Sequence, residues 1–213
     1  MKIIKYLLFI AGAIVILFSS CSKYPSTSSR LLEDLAVYTQ YDLKADFNSY
    51  KTFAIVDSIA YRSDDDSGFV LNANAQAVLT RITENMQQLG YTLVPHTANP
   101  DLAINVAVFE VTTTYAYSYY PGWYWGWYYP PNYWGGWYGY GYYYGYYPVY
   151  YTSYSSGTLM IDMADYKHPD TVAQKIPIVW NAYIRGLLTG NHTISDINSS
   201  IDQAFDQTKP FQK

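Results

Sequence analysis

Two stretches of the chain repeat apolar residues at the spacing of one face of an α-helix. Residues 72–89 carry apolar side chains at intervals of three or four, and residues 194–205 repeat this pattern. The period predicts two amphipathic helices, each with one buried stripe. Asn72 and Thr193 stand at the expected N-cap positions, and Gly90 stands where a left-handed residue can end the first helix.

Six other stretches alternate apolar and polar residues or are short apolar runs, which is typical of β-strands. We expect strands over residues 35–43, 51–58, 91–94, 101–115, 157–165 and 175–188. The charged segment that precedes the first helix, residues 61–68, is expected to be a loop. The predicted order is therefore β-β-α-β-β, an insertion, and β-β-α.

This order predicts an α+β fold in which one mostly antiparallel sheet carries both helices on the same face, as a two-layer sandwich. A single domain is expected, formed by residues 35–111 and 155–208. Apolar side chains also point to the opposite face of the sheet, so that face needs a cover. Three candidates for this cover are the tether before the domain, the insertion, and a partner molecule. The residues concerned are Ala103, Ala107, Phe109, Met160 and Ala164.

The insertion, residues 112–154, is aromatic, of low complexity, and has neither a helical nor a strand period. Residues 115–154 contain 18 tyrosines, five tryptophans, seven glycines and four prolines, and no charged residue. Recurrent glycine and proline disfavour a helix. We expect a long projecting loop or a loose hairpin that exposes its rings. The rings assigned to a possible binding surface are Tyr119, Trp123, Trp125, Trp127, Tyr133, Trp134 and Trp137.

The sequence is compatible with four interpretations of this insertion. It is a disordered low-complexity loop, a contact surface for another envelope protein, an element at a membrane interface, or a glycan-binding surface whose rings stack on sugars. Apart from Asn132, the insertion lacks the acidic and amide side chains that usually bond sugar hydroxyls.

The first residues predict a secretion signal. Lys2 and Lys5 precede an uncharged, mostly apolar run of 13 residues, 6–18. A membrane-spanning helix needs about 20 apolar residues, so this run fits the core of a signal peptide. The next residues, Leu-Phe-Ser-Ser-Cys, resemble the lipobox at which bacterial lipoproteins are cleaved and acylated. We predict a signal peptide over residues 1–20 and a lipidated Cys21, with an ordinary signal peptide and an incidental cysteine as the alternative.

A lipid on Cys21 would anchor the domain to a membrane through a flexible, Ser-rich tether over residues 21–34. Acidic runs directly after the cysteine serve as surface-export signals in some Gram-negative groups, and this chain has none. We therefore expect the protein to be anchored in the outer membrane and to face the periplasm.

Cleavage before Cys21 would leave 193 residues, with 11 basic and 17 acidic side chains and a net charge of −6. This balance argues against nucleic acid as a partner and against docking on anionic headgroups. The expected partners are the membrane, through the lipid, and an envelope protein or glycan. Because Cys21 is the only cysteine, its acylation would exclude disulfides, cysteine metal sites and cysteine nucleophiles.

The sequence contains no strong motif for catalysis or for a bound cofactor. Three consecutive aspartates at positions 64–66 lack the alternate spacing and closing glutamate of a calcium loop, so a solvated loop is favoured over calcium. We expect no cofactor except the lipid, no metal and no catalytic residue. Were the chain an enzyme, Asp162, Asp165 and His168 would be the candidates. The histidines lie in turn sequences without metal-ligand spacing: His96, His168 and His192.

Two tripeptides match an Asp-Ser/Thr-aliphatic pattern for bacterial O-glycosylation. They place possible acceptors at Ser58 and Thr171, both in predicted loops. Chance occurrence of so short a pattern is the alternative.

Three segments together resemble a known family. They are residues 42–57, 99–108 and 157–186, and the first contains Asp-Phe-x-x-Tyr-Lys-Thr-Phe. This signature is similar to that of domain-of-unknown-function family 4136, bacterial lipid-anchored envelope proteins, whereas the late tryptophan motif is matched only at Trp180. The resemblance implies a secreted, lipid-anchored α/β domain, often with a Tyr/Gly-rich insertion, and implies no established activity. The signature residues are Asp46, Phe47, Tyr50, Lys51, Thr52 and Phe53.

The spacing of the signature rings predicts a short helical turn that leads into a strand, with the rings beneath the sheet. A ligand role for Tyr50 and Lys51 is the alternative.

These observations predict an outer-membrane-anchored lipoprotein with a non-enzymatic structural, assembly or binding role in the cell envelope. The alternative is an envelope glycan-binding module that places exposed Tyr and Trp rings on peptidoglycan or lipopolysaccharide.

Overall fold

The structure is a computed structural model that describes residues 35–63, 65–110, 131–134, 140–144, 157–188 and 191–211. The predicted signal peptide, Cys21 and the whole predicted tether, residues 21–34, lie outside the described residues. So do five rings of the predicted binding surface, namely Tyr119, Trp123, Trp125, Trp127 and Trp137.

Nine strands and two α-helices lie within these described ranges. The strands are β1 (Ala36–Tyr41), β2 (Thr52–Ile55), β3 (Ile59–Ser63), β4 (Ser67–Val70), β5 (Thr92–Leu93), β6 (Leu102–Glu110), β7 (Gly141–Tyr144), β8 (Thr158–Asp165) and β9 (Lys175–Arg185). The helices are α1 (Ala73–Gln88) and α2 (Ile194–Asp206). Short 3-10 turns span Phe47–Ser49, His96–Ala98, Pro131–Trp134 and Lys209–Phe211.

The strands form one sheet with an antiparallel centre. β8 lies between β6 and β9 and is antiparallel to both, and β1 is antiparallel to β9. β2 and β3 both run parallel to β6, one after the other along its other edge. β5 extends the sheet beyond β2, β4 pairs with β3, and β7 pairs in parallel with β9.

Both helices lie on one face of this sheet, which confirms the predicted two-layer α+β architecture. α1 packs against β2 and β5, α2 packs against β1 and β9, and the helices contact each other. Arg81 on α1 binds both carboxylate oxygens of Asp202 on α2, with N–O distances of 2.6 and 2.5 Å. The side chains of Val78, Ile82, Ile201 and Phe205 are buried beneath the helices.

The ends of the helices are capped as predicted. The Asn72 side chain accepts a hydrogen bond from the backbone N–H of Ala75 at 2.9 Å. Thr193 forms a reciprocal capping box with Asp196, which satisfies backbone donors that the helix itself leaves free. Gly90 has a φ of 92°, in the left-handed region where glycine is favoured. Neither helix in the described part of the chain combines the length and apolarity needed to cross a membrane.

The expectation of a charged loop at residues 61–68 is wrong. This segment forms most of a hairpin in which β3 and β4 pair, with Arg62 opposite Ser67. The hairpin lies at the edge of the sheet. There the strands stay paired while their charged side chains reach solvent. The Tyr61 hydroxyl donates to Glu110 at 3.0 Å and ties this edge to β6.

The expectation that the aromatic insertion only projects is also wrong for its described parts. β7 adds to the edge of β9, with Tyr142 opposite Ile176. Trp134, assigned from the sequence to an exposed binding surface, has 0% of its surface exposed, and Tyr142 has 2%. The sheet face opposite the helices, called the far face below, is apolar enough to require a cover, and large rings bury much area per residue.

Candidate functional site on the far face

Three polar side chains form a row across the centre of the far face. Asn105 on β6 is directly opposite Asp162 on β8, which is directly opposite Asn181 on β9. Directly opposite residues on adjacent strands project from the same face. All three residues have 0% of their surface exposed. This set of three residues is called the polar row.

Four aromatic residues lie on the same side of the sheet as the polar row. Trp134, Tyr142, Tyr166 and Tyr183 are all buried. The Tyr142 and Tyr166 hydroxyls are 2.7 Å apart, and the Trp134 ring meets the Tyr166 ring edge-on with a 6.2 Å centroid distance. The Asn181 amide donates a hydrogen bond to the Tyr183 hydroxyl. The far face is thus closed by rings over a polar centre.

Two short segments of the insertion hold this cover in place. In the turn Pro131–Trp134, the Tyr133 carbonyl lies 2.9 Å from His96 Nδ1, and the Tyr133 and His96 rings stack at 4.6 Å. At β7, the Gly141 N–H donates to the Gln174 carbonyl at 3.0 Å. The Lys175 ammonium lies 5.9 Å from the centre of the Tyr143 ring, a favourable cation–π distance.

Burial keeps the hydroxyl groups of the cover neutral. It raises the pKa of Tyr142 well above its ordinary value, although neighbouring Tyr166, Asn105 and Trp134 lower it in part. Burial also raises the pKa of Tyr166, and the Tyr142 hydroxyl raises it further. Both hydroxyls therefore remain hydrogen-bond donors throughout the physiological pH range.

Two polar side chains on the far face lack hydrogen-bond partners of standard geometry. Neither the amide nitrogen nor the amide oxygen of Asn105 has one, and the same holds for the indole N–H of Trp134. Both side chains nevertheless lie within hydrogen-bonding reach of the Tyr142 hydroxyl, and these contacts lower its pKa. A buried polar group without a partner costs about 1–3 kcal/mol, so such groups mark strain or a place where water or a ligand completes the bonding.

Of the three sequence candidates for an enzyme, Asp165 and His168 meet, whereas Asp162 lies apart from them. Asp162 lies on the far face, whereas Asp165 lies three residues later on the helix side, at one end of β8. Asp165 accepts a hydrogen bond from the Tyr50 hydroxyl at 2.6 Å and lies 3.0 Å from His168 Nδ1, through the same oxygen. Burial, followed by the hydrogen bond to Asp165, raises the pKa of Tyr50. The Tyr50 hydroxyl is therefore a fixed donor and not an activated nucleophile.

The signature residues have structural contacts, as the predicted turn into a strand requires. Asp46 caps the turn Phe47–Ser49 by accepting from the Asn48 N–H. The Phe47 ring packs edge-on against Phe211 at 5.3 Å. One carboxylate oxygen of Asp101 accepts from the backbone N–H groups of Lys51 and Thr52, at 2.7 and 3.1 Å. The Asp101 N–H in turn donates to the Thr52 hydroxyl at 2.9 Å.

These contacts bring the three segments of the family resemblance to one end of the sheet. Tyr50 binds Asp165, and Thr52 binds Asp101. The Asp101 carbonyl accepts from the N–H groups of Tyr166 and Lys167. The signature thus joins β2, β6 and β8, which accounts for its residue types without a ligand.

A cleft of about 160 Å³ lies beside the signature, lined by Tyr50, Lys51, Tyr91 and Phe211 among others. Ligand pockets commonly measure about 300–1,000 Å³. Lys51 is exposed there, and its ammonium donates to the Asn48 carbonyl at 3.2 Å. The far face, with its buried polar groups, is therefore the stronger candidate site.

The other sequence candidates are dispersed. Thr171 lies on an exposed turn, and Ser58 is half-buried with its hydroxyl donating to Asp57 at 3.0 Å. Among the described residues, no group of three or more His, Asp, Glu or Cys side chains could hold a metal ion. Sequence inspection missed Asn105 and Asn181. The available signal was a polar residue at an inward position of an otherwise apolar strand, repeated on neighbouring strands.

Comparison with known proteins identifies the family. The model of the family described as "Domain of unknown function (DUF4136)" matches residues 37–208. A DUF4136 family protein from Bacteroides thetaiotaomicron has a similar crystal structure, with 30% sequence identity and a TM-score of 0.65, covering 84% of this chain and 97% of that chain.

A second structural match gives little information. A PDZ domain protein from Parabacteroides distasonis matches at 15% identity and a TM-score of 0.35, covering 80% of this chain and 35% of that chain. No curated protein matches the chain. The family match over residues 37–208, together with the shared fold at 30% identity, shows that this chain belongs to the DUF4136 family of unknown function.

Proposed function

We propose that this protein is an outer-membrane-anchored lipoprotein that faces the periplasm and has a non-enzymatic binding or assembly role in the cell envelope. The observation that carries the proposal is the attachment of the aromatic insertion to the folded domain. Trp134 and Tyr142 are buried against the far face, so the described parts of the insertion are attached to the domain. The ring-rich, uncharged remainder of the insertion is the part that we assign to partner contact.

A non-catalytic role is supported by the bonding of the signature residues. The hydroxyl of Tyr50 donates to a buried carboxylate, and two backbone N–H groups, of Lys167 and His168, donate to the other oxygen of that carboxylate at 3.0 and 2.9 Å. Bonds of this kind hold Asp165 and its neighbours in one geometry. A general base needs a proton donor in the substrate within reach, and these contacts already fill both oxygens of Asp165.

Anchoring is supported by the sequence before the described domain. A basic head, an uncharged run at residues 6–18 and the lipobox-like segment ending at Cys21 occur in the order that lipoprotein processing requires. Several acyl chains hold a protein firmly to a bilayer, since each buried CH₂ contributes about 0.8 kcal/mol.

The anchoring is tested by expressing the full chain and its Cys21→Ser variant in a Gram-negative host and separating the membranes. We expect the unaltered protein in the outer-membrane fraction, with an intact mass that includes fatty acids on Cys21, and the variant in the soluble periplasmic fraction. An unaltered chain that is recovered soluble, with an unmodified amino terminus, would contradict the proposed anchor.

The binding role is tested with a variant in which Trp123, Trp125 and Trp127 are all replaced by serine. Its matched control carries Trp→Phe at the same positions, which keeps the rings. Both are cross-linked in native envelopes, and the protein adducts are identified by mass spectrometry. We expect specific adducts for the unaltered protein and the control, and their loss in the serine variant without a change in Tm. Adducts that are identical in all three proteins would contradict a role for these rings.

A further inference from the structure

The strand β1 borders the sheet with an open outer edge. Its inner edge pairs with β9, and just after it the Asp42 N–H donates to the Val179 carbonyl at 2.8 Å. Because hydrogen-bonded pairs alternate along an antiparallel ladder, the even-numbered residues of β1 bond to β9 and the odd-numbered residues direct their N–H and carbonyl groups outward. In the described part of the chain, no other strand pairs with β1. The outward residues are Val37, Thr39 and Tyr41.

β1 also lacks the features that usually protect an edge strand from another chain. Such strands are commonly very short, or they carry a charged residue, a proline or a bulge. β1 has six residues, Ala-Val-Tyr-Thr-Gln-Tyr, without charge or proline, and its register with β9 has no shift. At the other border of the described sheet, β4 has four residues and β5 has two. β1 is therefore the border strand best suited to accept a further strand.

The residues of β1 fit a second copy of the same strand. A twofold axis through Thr39 pairs all the outward groups, with Val37 opposite Tyr41 of the second copy and Thr39 opposite Thr39 of the second copy. Aromatic residues opposite β-branched residues, and threonine opposite threonine, are favourable cross-strand pairs. On the other face of the strand, Tyr38, which is 46% exposed, lies opposite Gln40 of the second copy in this register.

We propose that β1 is a dimerisation strand, through which two copies of this chain pair antiparallel about a twofold axis at Thr39 and join their sheets into one. The partner is thus a second copy of the chain. The proposal goes beyond the proposed function, because it assigns a surface and a partner that an envelope role does not require.

The predicted membrane anchors are compatible with this dimer. Residue 36 lies opposite residue 42 of the second copy, so the two starts of β1 are about 20 Å apart. The predicted tether, residues 21–34, has 14 residues and spans at most about 50 Å. Both lipids therefore reach the same bilayer, which raises the local concentration of the copies. Only this step rests on the proposed anchor, since the strand pairing does not need it.

The first experiment measures the mass of the full-length, detergent-purified protein by sedimentation equilibrium over a dilution series, with the solvent density matched to the detergent. We expect a monomer–dimer equilibrium that shifts toward the monomer on dilution. A monomer at every concentration would overturn the proposal. An assembly larger than a dimer would also overturn it, because a twofold pairing closes at two copies.

The second experiment places like charges at the axis. Thr39→Lys and Thr39→Glu each set two identical charges opposite one another, so either variant alone should raise the dissociation constant of the dimer about tenfold or more. An equimolar mixture of the two variants should restore the dimer. The matched control is Thr92→Lys, the same substitution at an exposed threonine on β5, which should leave the dissociation constant unchanged.

The Tm of each variant is measured alongside, because the Thr39 hydroxyl accepts a hydrogen bond from the Gln207 amide at 3.1 Å. A dimer that Thr39→Lys leaves intact, or that Thr92→Lys weakens equally, would overturn the proposal. So would a mixture that stays monomeric while both Thr39 variants keep their Tm.

The third experiment tests the register by cysteine cross-linking. The two Thr39 Cα atoms are expected about 5.5 Å apart, within the range of a disulfide, whereas the two Ala36 Cα atoms are expected about 20 Å apart. Under mild oxidation, Thr39→Cys should form a covalent dimer and Ala36→Cys should not. The unaltered chain, whose only cysteine is Cys21, is the control for cross-links through that residue. Equal cross-linking of the two variants, or none in Thr39→Cys, would refute the register.

The dimer and the anchor fail separately in these tests. A soluble, unacylated protein in the Cys21 experiment that still dimerises would refute the proposed location alone. A strictly monomeric protein in the outer membrane would refute the dimer alone.

Discussion

Each face of the sheet buries a tryptophan completely, but the two faces differ in the hydrogen bonding of the indole N–H group. On the helix face, the Trp180 indole donates to the Thr208 hydroxyl at 2.8 Å, and its ring packs against Phe205 and Phe211. On the far face, the Trp134 indole has no hydrogen-bond partner of standard geometry. Both residues have 0% of their surface exposed.

This difference follows from the elements that cover each face. The helix face is covered by periodic helices, and the chain segment directly after α2 supplies Thr208, whose hydroxyl also donates to the Ala204 carbonyl at 2.8 Å. The far face is covered by short segments of an insertion without a period. The first face is therefore a hydrogen-bonded, apolar core, and the second keeps unused hydrogen-bonding capacity under aromatic rings.

The largest expected effect on stability comes from a substitution in the core on the helix face. Trp180→Ala should lower the free energy of unfolding by about 3–5 kcal/mol, because it removes a fully buried ring and leaves a cavity. Denaturant-induced unfolding measures this loss. Val172→Ala is a control, since Val172 is 96% exposed and should change stability by less than about 0.5 kcal/mol. If Trp134→Ala cost more than Trp180→Ala, the far face would be the principal core, and the comparison of the faces would be reversed.

A smaller loss in the free energy of unfolding is expected at the end of the helix face, where the signature residues lie. Tyr50→Phe should cost about 1.5–3 kcal/mol, because it removes a hydrogen bond to the buried, charged Asp165. Tyr91→Phe is the control, since Tyr91 donates to the neutral Phe47 carbonyl at 3.0 Å, and it should cost about 0.5–1.5 kcal/mol. Equal losses in the two variants, measured by denaturant unfolding, would contradict a charged partner for Tyr50.

Alkaline pH should weaken both faces through their tyrosines. Burial raises the pKa of Tyr91 to about 12, and burial also raises the pKa of Tyr142 and Tyr166. Because the folded protein retains these protons when the unfolded chain loses them, stability is full below about pH 10 and falls as the pH rises toward 12.

Thermal unfolding between about pH 8 and pH 11.5 measures this loss. The double variant Tyr142→Phe with Tyr166→Phe should show a shallower decline, since two shifted groups on the far face are removed. A decline equal to that of the unaltered protein would show that the far-face hydroxyls do not contribute.

The smallest effect compares Trp→Phe at the two faces. Both substitutions remove similar volume, but only Trp180→Phe breaks a hydrogen bond of standard geometry, so it should cost about 1 kcal/mol more than Trp134→Phe. Paired denaturation curves measure the difference. The opposite order would show that the Trp134 indole has a bonding partner in solution.

The sequence predicted the helix face well because its elements are periodic and locally capped. The stripes of α1 and α2, the caps at Asn72 and Thr193, and the alternation within β8 and β9 all follow from residues close together in the chain. The β3–β4 hairpin was missed because its charges suggested a loop, and charge alone does not distinguish a loop from an edge strand.

The candidate site could not be predicted in the same way. Asn105, Asp162 and Asn181 are far apart in sequence and meet only because β6, β8 and β9 are neighbours in a particular register. A shift of one residue in either strand pairing would send a member of the row to the other face. The burial of Trp134 likewise depends on the insertion finding an edge of β9.

By itself, the sequence determined the fold class, the two helices and the family signature, because helix and strand periods and N-caps act within a few residues. The tertiary structure alone decided which face the insertion covers and which polar groups lie beneath it. Those outcomes depend on strand order and register, which bring together residues that no local pattern connects.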